Sequence, residues 1–186
     1  MEALDALLNR VSAPRLLDPA PTAEQREVLF AAALRAPDHG QLRPYRFLTV
    51  EGEARNQLGE ILAQAVQGQG GEVTQAALDK ARAMPLRAPL VVVVVARLQE
   101  HFKVPKSEQL ITAGCAAHAI ELAAFAQGIG AVWRTGELSY NAHVAKGLGL
   151  EDGEEVVAFL YLGTPQNDLR DAPKVNSAEF VKAWSA

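Results

Sequence analysis

The chain has 186 residues, 49% hydrophobic and 22% charged, values that fit one compact domain with a real core. Its net charge of −4 argues against a nucleic-acid-binding domain, which carries a basic excess. The single cysteine, Cys115, excludes an intramolecular disulfide, and its apolar helical setting reads as a buried, inert thiol.

Met1–Leu8 carries Glu2 and Asp5 and no basic start, so it does not read as a signal peptide and a cytoplasmic location is expected. Leu4, Leu7 and Leu8 have helical spacing and predict a short first helix ending near Arg10. Thr22 and Gln25 form a capping-box pattern, so a second helix starts near Ala23, turns Val28, Leu29 and Ala32 inward and stops before Pro37. Arg46–Glu51 reads as a strand. Leu58, Ile61, Leu62 and Ala65 mark a third, amphipathic helix, and the glycines from Gly68 to Gly71 read as a linker before a helical piece over Val73–Arg82. Pro85 and Pro89 predict an extended lead into Leu90–Val95, a β-branched run expected as a central strand buried on both faces. Leu90–Ala96 is too short to span a bilayer, and no membrane partner is expected.

After a polar loop, Gln99–Lys106, a long helix is expected over Ser107–Gln127 with Gly128 as its C-terminal stop. It is apolar on nearly every side, which places it mid-protein or in a subunit interface. Ala131–Trp133 reads as a short strand, Asn141–Lys146 as a helix and Val156–Leu162 as the last strand. The tail from Pro165 to Ala186 has little periodicity but holds Phe180 and Trp184, so it is expected to wrap a partner subunit. The pattern is α+β in a single domain, 1–186, with one central sheet covered by helices.

Common chemistries find little support. The four histidines are scattered, and His118 with Glu121 reverses the Glu-x-x-His order of di-iron helices, so no metal is expected. No Gly-x-Ser-x-Gly elbow is present. Gln127-Gly128-Ile129-Gly130 follows a helix, whereas a dinucleotide fingerprint follows a strand. What remains is arginine. Arg outnumbers Lys by 12 to 6, and Arg10, Arg15, Arg35, Arg43 and Arg46 cluster early. The turns at Asn9–Ser12, Arg35–Gly40 and Trp133–Gly136 place Arg or hydroxyl donors beside free backbone N–H groups, which suits an anionic ligand. Each turn taken alone is more often an ordinary turn than a ligand site.

Together these segments resemble the FMN-dependent nitroreductase family. Arg35-Ala36-Pro37-Asp38-His39, Lys80-Ala81-Arg82 with Arg87-Ala88-Pro89, and Phe159-Leu160-Tyr161-Leu162-Gly163-Thr164-Pro165 carry the likeness, which runs from Leu4 to Pro165. The resemblance implies a nitroreductase-like fold with a mainly antiparallel sheet and an intertwined homodimer holding FMN at its interface. By the same resemblance, Arg10, Val11 and Ser12 contact the flavin phosphate and ring edge, and Trp133, Arg134 and Thr135 form another flavin-contacting segment. Arg35 and His39 reach the flavin from the other chain, and Ala123, Ala124, Phe125, Ala126, Gln127 and Gly128 match a stretch assigned to NADH or NADPH. Position 11 departs from the family, with Val where a second Arg is usual, and Gln41, Arg43, Pro44 and Tyr45 stand where larger members have Asn and Gln before Pro-Trp. The implied function is NAD(P)H-dependent reduction of nitroaromatic or similar small electrophiles by ping-pong hydride transfer, with no side chain as nucleophile or base. A flavin-binding carrier or sensor without turnover, and a cofactor-free dimeric interaction protein, are the alternatives.

Overall fold

A computed structural model describes residues 1–185. Six α-helices occur among them: α1 (Ala3–Asn9), α2 (Ala23–Ala33), α3 (Ala54–Gln67), α4 (Gln75–Ala83), α5 (Lys106–Ala126) and α6 (Ala142–Gly147). The strands are β1 (Leu16–Leu17), β2 (Tyr45–Glu51), β3 (Leu90–Arg97), β4 (Gly130–Arg134) and β5 (Glu154–Pro165). They form one sheet in the order β1-β5-β3-β2, with β4 also on β5, and every pairing is antiparallel.

β3 explains the layering. Its residues from Leu90 to Ala96 have no exposed surface, because helices cover both faces of the strand. Leu90, Val92, Val94 and Ala96 face one core with α2 and α5, while Val91, Val93 and Val95 face another with α3, α4 and α6. The two-residue period of a strand sends alternate side chains to opposite layers, so an unbroken valine run fits only where both layers are apolar.

α5 lies along the first face. Ala113, Ala116, Ala117, Ile120 and Ala124 form its buried stripe, and the small side chains let it sit close to the sheet. It has the length and apolarity of a membrane span, but this stripe makes it a core helix. Its opposite side is left uncovered, with Ile111 65% exposed and Cys115 only half-buried rather than buried as expected. α1 behaves alike: Leu4, Leu7 and Leu8 all point to solvent, and Ala6 is its one buried residue.

The capping box at Thr22 is complete, with Thr22 and Gln25 bonding each other's backbone amides at 2.9 and 3.3 Å. The inward face of α2 differs from expectation. Leu29 and Ala33 are buried, whereas Val28 is 50% exposed, because the turn of the helix that meets α5 is set four residues apart at 29 and 33. The stretch between Pro85 and Pro89 is also not extended. Pro85–Arg87 forms a single 3-10 turn, with Pro85 at its first position, where a missing N–H costs nothing. Among the described residues the tail beyond Pro165 has only a 3-10 turn at Ser177–Glu179, and Phe180 and Trp184 are exposed.

Candidate functional site

The segment after α1 runs beside β4. The Ala13 amide donates to the Ala131 carbonyl at 2.8 Å, which places Arg10–Ser12 next to the strand that ends in Trp133 and Arg134. Glu121 of α5 ties the two together. Its carboxylate is 6% exposed, lies 3.8 Å from the Arg10 guanidinium and faces the Trp133 backbone N–H. Oε1 of Glu121 has no hydrogen-bond partner. Burial pushes this carboxyl above the usual range, against the opposing charges of Arg10 and His118 and the Trp133 amide. Of the three predicted residues, Val11 is buried, while Arg10 and Ser12 are half-buried.

The raised carboxyl sets a pH dependence. A group whose folded pKa lies above its unfolded value contributes stability that is complete below the unfolded pKa and is lost as pH rises through the folded one. Glu121→Gln keeps an acceptor for the Trp133 amide and removes that loss. Thermal unfolding should therefore show the variant gaining on the parent as pH rises above the ordinary glutamate range, about 4.3, the gap growing until the parent's carboxyl is ionised. A gap that instead widens toward acid would contradict the raised carboxyl.

Apart from Arg10, the arginines sort into two groups. Arg26, Arg46, Arg82 and Arg97 are held by Glu51, Glu154, Glu60 and Glu154 respectively, and Arg55 by the Ala88 carbonyl. Among the described residues Arg15, Arg35, Arg43, Arg87, Arg134 and Arg170 have no acidic side-chain partner, and they fall two by two into three clefts. Arg15 and Arg170 line a cleft of about 430 Å³ with Ser12. Arg87 and Arg134 line one of about 570 Å³ with Trp133, Thr135, Met84 and Tyr161. Arg35 and Arg43 line the third, of about 370 Å³.

The middle cleft is the most developed. Phe159, Tyr161, Leu62 and Met84 give it an apolar floor and wall. Arg134 lies over the Tyr161 ring at 5.7 Å, and its Nε is buried without a partner. Burial raises the Tyr161 phenol, and the positive charges of Arg87 and Arg134 oppose that rise. A stranded guanidinium donor above an apolar, aromatic floor suits a planar ligand with acceptor atoms on its edge.

Arg35 and His39 lie elsewhere. His39 Nδ1 is 2.7 Å from Glu108, and the Pro37 carbonyl accepts from Thr112, so this turn sits on the first half of α5. Glu121 is thirteen residues further along, or about 20 Å at 1.5 Å per residue. One chain therefore does not bring Arg35 and His39 to Arg10 and Trp133. In the stretch Ala123–Gly128, Ala124 is fully buried, so it has no surface to offer a nucleotide in this conformation. Ala126 and Gly128 are exposed, and Ala123, Phe125 and Gln127 are half-buried, with Gln127 reaching back to the Ala123 carbonyl.

Residues 7–164 match the profile of the Nitroreductase family. The chain belongs to that family. YdjA of Escherichia coli (strain K12), a protein named for an NAD(P)H nitroreductase activity, is 46% identical over 166 residues, 89% of this chain and 90% of YdjA. The fold agrees. A nitroreductase-like family protein from Bacillus cereus superposes with a TM-score of 0.84 at 20% identity, covering 100% of this chain and 97% of that one. A structure from Desulfovibrio desulfuricans, solved in complex with FMN, gives 0.72 at 21% identity, with 100% and 99% covered.

Sequence reasoning passed over several of the residues that shape these clefts and the Arg10 segment. Glu121 was weighed only as a metal ligand beside His118, and its burial behind Arg10 needs the packing of α5 on β4 to be seen. Arg87 stood inside a family motif without a role. Arg170 lies in the aperiodic tail, where no pattern marks it.

Proposed function

We propose that the chain is an NAD(P)H-dependent flavin oxidoreductase that binds FMN as a homodimer and reduces nitroaromatic or similar small electrophiles. The observation that carries this is the stranded Arg134 donor in the apolar cleft at Trp133–Thr135, joined through Glu121 to Arg10. FMN fits the residues present. Arg10 and Ser12 would hold its phosphate, and Trp133, Arg134 and Thr135 its ring. The ion pair of Arg10 with Glu121 is long at 3.8 Å and includes no hydrogen bond, so the guanidinium fork is still available to a phosphate.

When bound, FMN supplies the hydride chemistry. The protein's part is to hold the ring edge, exclude water with the apolar floor and keep Arg134 where negative charge develops. NADH or NADPH and the acceptor would use the cleft in turn, a ping-pong order, with the nucleotide along the accessible residues of this helix end, Ala123 and Phe125–Gly128. A dimer is supported by the uncovered apolar sides of α1 and α5 and by the distance that separates Arg35 and His39 from Arg10 within one chain. The partner's copy of the Arg35–His39 turn would complete the site, and the exposed Phe180 and Trp184 of the tail would cover the other subunit. A cytoplasmic location goes with this reading.

Turnover separates this function from a flavin carrier. Purified protein loaded with FMN is expected to oxidise NADH or NADPH steadily when a nitroaromatic is present. Flavin that stays bound while neither nucleotide is consumed would favour the carrier.

A further inference from the structure

Arg87 is placed with care. It ends the 3-10 turn Pro85–Arg87, between buried Pro85 and buried Ala88, and the Ala88 carbonyl is fixed by Arg55 at 2.8 Å. The backbone under Arg87 is thus anchored on both sides, while its side chain is exposed at the middle cleft and pairs with no acid among the described residues. Arg134 stands at the same cleft, over Tyr161. The one acidic residue in the lining, Glu137, is exposed. In a chain of net charge −4, this cleft holds two cations over an apolar floor.

We propose that Arg87, beside Arg134, forms an anion subsite in this cleft that selects planar aromatic acceptors carrying a carboxylate. The proposal rests on the reading of the cleft as the place where flavin and acceptor meet. Arg134 belongs to the segment that would hold the ring, which leaves Arg87 for the second ligand. A guanidinium fork matches a carboxylate through two parallel N–H···O bonds, and low-dielectric walls strengthen the attraction. A neutral amide of the same shape has no charge for it to meet.

The test uses FMN-loaded protein without reductant, titrated with 4-nitrobenzoate and with neutral 4-nitrobenzamide, and read by the change in flavin absorbance. The parent is expected to bind the nitrobenzoate about tenfold more tightly than the amide, the scale of one charge-assisted hydrogen bond. Arg87→Gln should erase that preference and leave FMN retention as in the parent. Arg87→Lys, which keeps the charge without the fork, should keep part of it. Equal affinities in the parent, or a preference that survives Arg87→Gln, would overturn the proposal. Weakened FMN retention in Arg87→Gln would make Arg87 a cofactor contact and overturn it as well. A parent that holds no FMN would instead refute the flavin reading on which it rests.

Discussion

An Arg10→Ala chain is expected to hold FMN about ten to a hundredfold more weakly than the parent, and riboflavin no differently. The expectation follows from charge. Hydrogen bonds to charged groups contribute about 1.5–3 kcal/mol, and Arg10 is the cation of its segment, because position 11 is Val. Riboflavin lacks the phosphate, so it reports whether the rest of the site survives the change. That control is needed because Arg10 also faces buried Glu121. Without the guanidinium, one of the charges that oppose the rise of the Glu121 carboxyl is lost, so that carboxyl would move further up. Equilibrium titration followed by flavin fluorescence gives both affinities. If Arg10→Ala holds FMN as tightly as the parent, the phosphate role is wrong, and an equal loss of both ligands would mean that the change disrupted the site as a whole.

Gly59→Ala should be the most damaging single-methyl change in the helical layer over α3 and α4. A Cβ at Gly59 would lie 2.5 Å from the Arg82 carbonyl oxygen, a backbone atom that no rotamer can move away. Alanine gains about 1 kcal/mol over glycine in a helix interior, but a methyl driven into backbone falls at the upper end of overpacking costs, about 2–3 kcal/mol. The clash wins, and a net loss of about 1–2 kcal/mol is expected, which lowers Tm by about 2–8 °C for a chain of this size. α4 leads directly into the Pro85–Arg87 turn, so the same change should also loosen the wall of the middle cleft. Thermal unfolding checks the first effect. An unchanged or raised Tm would mean that α3 and α4 do not pack at this distance.

The fold was legible wherever one physical rule decided a segment. The valine run of β3 could only be a strand covered on both faces, and the Thr22–Gln25 box located the start of α2 to the residue. The spacing of Leu4, Leu7 and Leu8 located a helix but not what its stripe touches, since periodicity gives a face and not a neighbour. Val28 and Leu29 show the same limit within one helix, because spacing alone does not say which of two adjacent apolar residues lies nearer the neighbouring helix. The two-residue strand β1 carries no pattern of its own and exists through its pairing with Thr164 and Pro165. The site was legible as segments. Arg10–Ser12 and Trp133–Thr135 prove to be neighbours, but Glu121, the residue between them, was hidden because its meaning depends on two elements far apart in sequence. The pairing of free arginines in the clefts was hidden for a related reason: twelve arginines look alike until the acids have claimed theirs.

FMN is expected to bind at a site shared by two subunits. The most direct measurement is the absorbance spectrum of the purified protein, before and after added FMN, followed by gel filtration. Flavin bands that elute with a dimer are predicted. Protein that retains no flavin under any condition would contradict the account and favour a dimeric interaction protein.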